Sequence, residues 1–208
     1  MELILFFALA GVLWYVYGRT GRKRQLAFVE AYTFPEKVSR QLLLKHPHLD
    51  EADLELVFRG LRDYFYICNQ AGKRMVSMPS QVVDDAWHEF ILFTRKYDYF
   101  CKKALGRFLH HTPAEAMADP NAAQEGIKRA WQYACAKEGI APKSPGRLPL
   151  LFAIDKQLEI IDGFYYSLDC KREGTEYCAG NIGCGGGCSS CGGDLGSSGC
   201  SGGCGGGD

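Results

Sequence analysis

The sequence predicts an all-α protein: a compact helical bundle of four to six helices, with an N-terminal transmembrane helix and a disordered Gly/Cys-rich tail. Three observations predict it. Residues 3–17 carry no charge, the middle of the chain repeats its apolar residues at helical spacing, and the end is little but Gly, Cys and Ser. The chain accordingly divides into an anchor (1–18), a basic juxtamembrane segment (19–34), a helical domain (35–170) and a tail (171–208).

The first element is "LILFFALAGVLWYVY" (3–17). As a helix it rises roughly 22 Å at ~1.5 Å per residue, and tilt-free spanning of a ~30 Å hydrocarbon layer then requires local thinning and snorkelling. Trp14, Tyr15 and Tyr17 gather at one end, where amphipathic rings favour the interface, and Arg19, Arg22, Lys23 and Arg24 follow. Cations on the C-terminal flank predict the N-terminus outside and the domain in the cytoplasm, at the inner membrane of a bacterium. A cleaved signal peptide would need a positive segment before the apolar run and a small-x-small site after it, and neither is present.

The helices of the domain follow in order. "QLAFVEAY" continues out of the anchor, and "PEKVSRQLLLKH" (35–46) sets Val38, Leu42 and Leu43 at helical spacing behind Pro35, a first-turn residue. In 48–72, Asp50 is the N-cap with Asp53 three residues on. Leu54, Val57, Phe58, Leu61, Tyr64, Phe65 and Cys68 form one stripe, and Gly72 ends it. Residues 80–106 predict one long central helix capped by Ser80 and closed by Gly106. Val82, Val83, Ala86, Phe90, Phe93, Tyr97, Phe100 and Cys101 share one face, while Asp84, His88, Leu92, Arg95 and Tyr99 lie opposite. A further helix (121–139) turns Ile127, Ala130, Trp131 and Ala134 inward. "APKSPGRLP" (141–149) is a connector, 150–161 a last helix, and the aromatic run 163–170 extended chain.

Apolar residues at 47% and aromatics at 12% suffice for a core, and 24 Lys plus Arg balance 24 Asp plus Glu. A nucleic-acid binder is usually basic over a domain or face, so none is expected as a partner. The lipid bilayer and a protein partner are.

Three of the five histidines fall in "DDAWHEF" (84–90) and "LHHTP" (109–113). Asp84 and His88 stand at i, i+4 on one helical face, so the carboxylate can orient the imidazole. His110 and His111 follow the helix-ending Gly106, where the chain can fold back. Asp84, His88, His110 and His111 together suit an open site for a transition metal such as zinc. The structural alternative pairs Asp84 with His88 by a hydrogen bond and has His110 or His111 cap helix carbonyls. Cys101 lies on the core face, as a buried, inert thiol.

The stretch 80–113 resembles the motif region of the glycine-rich domain-containing protein-like family, as a bacterial, membrane-anchored member. The matching positions are Val83, Asp84, Trp87, His88, Tyr97, Cys101, Gly106, His110 or His111, and Pro113. Residues 148–160 are similar to a later block, and the tail suits the family's name. The second histidine of the family's Trp-His-x-His is Phe90 here, which removes that ligand. The resemblance implies the helical fold and brings no enzymatic activity with it.

The tail carries Cys178, Cys184, Cys188, Cys191, Cys200 and Cys204 among glycines, which make ordering costly in entropy. Cytoplasmic thiols of this kind are soft-metal ligands or redox groups rather than stable disulfides. These readings predict a membrane-anchored, non-enzymatic helical interaction or scaffold protein. The alternatives are a metal-binding protein or metalloenzyme using His88 with His110 and His111, or a soft-metal or redox role of the tail.

Overall fold

In the computed structural model, the described residues are 2–111, 120–168, 177–179 and 182. Seven helices and one two-residue strand pair are found there. They are α1 (Glu2–Glu30), α2 (Glu36–Lys45), α3 (Glu51–Ala71), α4 (Gln81–Ile91), α5 (Thr94–Leu105), α6 (Pro120–Glu138) and α7 (Leu150–Gln157). The strands are β1 (Tyr166–Ser167) and β2 (Tyr177–Cys178), paired in parallel.

The expected helix starts and stops are mostly where the local chemistry puts them. Asp50 and Asp53 form a reciprocal capping box: Asp53 N donates to Asp50 Oδ1 at 2.9 Å, and Asp50 N to Asp53 Oδ2 at 3.1 Å. Gly72 closes α3, and Ser80 Oγ accepts from Val83 N at 3.2 Å to open α4. Pro35 is the N-cap of α2 rather than its first residue. The helix at 150 ends after Gln157, and Glu159 takes the left-handed φ of 51°.

Two expectations are corrected. The single central helix over 80–106 is two helices, broken at Leu92 and Phe93. Phe93 has φ −83° and ψ 56°, and Phe93 N closes a turn on Phe90 O at 3.0 Å. No Pro or Gly marks the break. Tertiary packing makes it, because α4 lies against α2, α3 and α7 while α5 lies against α1 and α3.

The transmembrane helix is the second. Among the described residues no helix is long and apolar enough to cross a membrane. The uncharged run covers roughly 22 Å of the ~30 Å required, and α1 continues unbroken through its basic residues to Glu30. The single-pass topology, with the N-terminus outside and the domain cytoplasmic, falls with that span.

α3 is the central element, in contact with α1, α4, α5, α6 and α7. Gly60 permits its approach to α4: a Cβ there would stand 2.9 Å from Val83 Cγ2. Around α3 an aromatic core closes, with Phe65 and Tyr32 each 4.6 Å from the Phe100 ring and Phe34 at 5.2 Å from Phe90. Burial of each such ring contributes roughly 1.5–3 kcal/mol. Phe90 is fully buried among them. The position where the resembled motif has its second histidine therefore faces the core, away from His88.

One buried acid joins α7 to the start of α4. Asp155, 1% exposed, accepts from Ser80 Oγ at 2.6 Å, Gln81 N at 2.7 Å, Val82 N at 3.2 Å and Phe164 N at 2.8 Å. Its oxygens thereby satisfy Gln81 N and Val82 N, two amides that the first turn of α4 leaves unpaired. They also fix where α4 begins, and hence where Asp84 and His88 point.

Candidate metal centre

Asp84 and His88 project from α4 one turn apart, with the His88 Nδ1 3.6 Å from Asp84 Oδ2, beyond hydrogen-bond range. His111 arrives from the other direction. Gly106 ends α5 in the left-handed conformation, φ 67°, and the chain reverses through residues 107–111. Arg107 Nη2 fastens the start of that segment to Gly72 O at 2.6 Å. At its end His111 Nε2 donates to Asp84 Oδ1 at 3.1 Å, which assigns the proton to Nε2 because a carboxylate only accepts.

One atom each of Asp84, His88 and His111 lies within 4.8 Å of the others. The His88 and His111 rings are 4.2 Å apart, and Trp87 flanks His111 at 4.6 Å. Tetrahedral zinc with bonds of ~2.0–2.1 Å sets its ligand atoms about 3.3 Å apart. His111 Nε2 stands 3.1 Å from Asp84 Oδ1 and His88 Nδ1 3.6 Å from Asp84 Oδ2, so rotation of His88 is needed to bring both nitrogens to that spacing from one oxygen. The His88 side chain is 49% exposed against 19% for Asp84 and 15% for His111, so one ligand is free to turn and the solvent side of the centre is open.

His110 is not part of the group. It is exposed and packs on Phe108 at 4.8 Å. Cys184, Cys188, Cys191, Cys200 and Cys204 lie outside the described residues, as does Pro113. Cys178 is in β2 and is disulfide-bonded, a state in which its sulfur is not a thiolate. Cys68, Cys101 and Cys135 are free and buried. Burial pushes the Cys68 thiol up to about 12 and Cys135 to about 11, and raises Cys101 too, so none offers a thiolate near neutrality.

A second histidine–carboxylate pair escaped the sequence. Asp85, buried beside Asp84 on the next face of α4, is bonded to His46 Nε2 at 2.8 Å, Lys45 Nζ at 2.5 Å and Gln81 Nε2 at 3.2 Å. It ties α4 to the end of α2. The cleft between those helices, about 170 Å³, is lined by Gln41, Lys45, Asp85, His88 and Glu89. The doubled aspartate before Trp87 was the available signal, because i and i+1 on a helix face different neighbours. A larger cleft of about 490 Å³ near Tyr32 and Phe34 has no histidine in its lining. Its carboxylates Glu55, Glu36 and Glu30 are paired with Arg62, Arg40 and Lys137.

Residues 24–187 match the family described as UCP032817-like, and the chain belongs to that family. This corrects the resemblance to the glycine-rich domain-containing protein-like family. The quoted motif covers only residues 80–113, and its Trp87, Tyr97, Cys101 and Gly106 are core and cap positions that serve packing. No curated protein matches the chain, and no solved structure does.

Proposed function

We propose that this chain is a metal-binding helical protein whose centre is Asp84, His88 and His111, taking a divalent transition ion of the zinc class. The observation that carries the reading is the convergence of two imidazoles and one carboxylate, from separate segments, within 4.8 Å. Two nitrogens and one oxygen are a ligand set that zinc accepts, and three protein ligands leave a position for water or an exogenous ligand. Because an imidazole binds metal through an unprotonated nitrogen, coordination by His111 Nε2 requires the proton it now donates to Asp84 to move to Nδ1.

The competing reading makes the Asp84–His111 hydrogen bond a clasp that merely ties the segment after α5 to α4. Metal analysis of the full chain separates the two. The metal reading expects cobalt(II) to bind near one equivalent, with visible bands of nitrogen and oxygen ligation that vanish in His88→Ala and His111→Ala but persist in His110→Ala. Thiolate ligation adds near-ultraviolet charge-transfer bands, which keeps the tail cysteines distinguishable. No such visible bands in the wild type, with thermal stability unaltered by zinc or chelator, would leave the clasp alone.

A further inference from the structure

We propose that Tyr97 is a positioning residue for this centre: its buried hydroxyl, held by the Trp87 indole, fixes the Leu109 carbonyl and thereby delivers His111 to Asp84 and His88. The inference rests on the metal reading of the site.

His111 sits on a segment without regular structure, so no helical hydrogen bonds fix its place. Two residues before it, Leu109 O accepts from the Tyr97 hydroxyl at 2.6 Å. The same hydroxyl oxygen accepts from Trp87 Nε1 at 3.1 Å, which turns its proton away from the indole, toward Leu109 O and the neighbouring Cys101 thiol. Tyr97 is 1% and Trp87 3% exposed, so the bond between them is shielded from water, and the bond to Leu109 O is part-buried. Burial pushes the Tyr97 phenol far above its ordinary range, and it remains a donor at any working pH.

Trp87 joins the two halves of the centre. It precedes His88 in α4, its indole N–H orients Tyr97, and its ring contacts that of His111. A metal tolerates ligand displacements of only about 0.2 Å, so a loop free to drift is a poor source of a ligand. Outer partners that hold a metal's ligands typically change affinity about 10–100-fold when lost.

Tyr64 supplies the control. It too is a buried phenol donating to a loop carbonyl, Val76 O at 3.1 Å, but that loop carries no ligand. Cobalt(II) is titrated into the full chain, Tyr97→Phe, Tyr64→Phe and His111→Ala, and the visible bands are followed. Positioning by Tyr97 expects Tyr97→Phe to bind about 10–100-fold more weakly, with shifted bands, and Tyr64→Phe to bind as the wild type does. Equal weakening in both phenylalanine variants, or wild-type affinity in Tyr97→Phe while His111→Ala loses binding, overturns the positioning role and leaves the metal reading standing. A wild-type chain with no bands overturns both. Should Tyr97→Phe fail to fold, Trp87→Phe removes the donor that sets the hydroxyl together with part of the ring packed on His111, and unchanged affinity there overturns the proposal as well.

Discussion

Replacing Asp155 with asparagine removes one oxygen from a buried carboxylate that accepts four hydrogen bonds. With the amide oxygen in the Oδ1 position, the bonds from Ser80 Oγ and Val82 N survive. The amide nitrogen then faces Gln81 N and Phe164 N, two donors with nothing to receive them. A buried N–H left without a partner costs about 1–3 kcal/mol. Both backbone groups are only part-buried, which places each near the lower half of that range. Loss of a negative charge at the start of α4 adds about 0.3–1 kcal/mol. The total is about 2–5 kcal/mol, a large share of the ~5–15 kcal/mol that holds a domain together. Urea denaturation of wild type and Asp155→Asn, followed by far-ultraviolet circular dichroism, measures it. The midpoint should fall with the slope unchanged. A loss under about 1 kcal/mol would mean that water or a rearranged turn satisfies those amides, and that Asp155 does not define the start of α4.

Two other outcomes are expected. Asp63 is buried beside Lys137; burial raises its carboxyl more than the Lys137 contact lowers it. A raised folded-state value means the folded protein holds the proton more tightly than the unfolded one. The charged group costs stability near neutrality, and that cost is relieved as pH falls through the folded value toward the unfolded ~3.9. Wild type should therefore gain stability relative to Asp63→Asn on acidification, and a relative loss would reverse the reasoning. Cys68, Cys101 and Cys135 should resist alkylation at pH 8 in the folded chain and react in denaturant, as read by mass mapping of labelled peptides. Rapid labelling of any of the three in native buffer would mean the core opens there.

Much of the bundle was legible because local chemistry and packing agree. The Asp50–Asp53 box, the Ser80 cap, the Gly72 and Gly106 stops and the Leu54-to-Cys68 stripe each depend on neighbours a few residues away. The break at Leu92–Phe93 was not legible, since nothing in those side chains forbids a helix and the contacts that decide it come from α1, α2, α3 and α7. The apolar start has the charge-free character of a span without the length of one, and length decides. At the centre, the i, i+4 relation of Asp84 and His88 was visible. The choice between His110 and His111 was not, because it depends on the Tyr97–Leu109 bond across α5. Asp155 and the His46–Asp85 pair stayed hidden for the same reason: His46 lies 39 residues from Asp85, and Ser80 lies 75 from Asp155.

α4 has eleven residues, about the length at which an isolated helix is marginal in water. Its coherence is borrowed: Asp155 clamps one end, Asp85 leashes one flank to α2, and Asp84 leashes the other to His111. Three acids thus hold a short rod at one end and on two sides. Such a rod cannot roll about its own axis without breaking an attachment, so the bearing of His88 is set by the whole scaffold rather than by the turn that carries it.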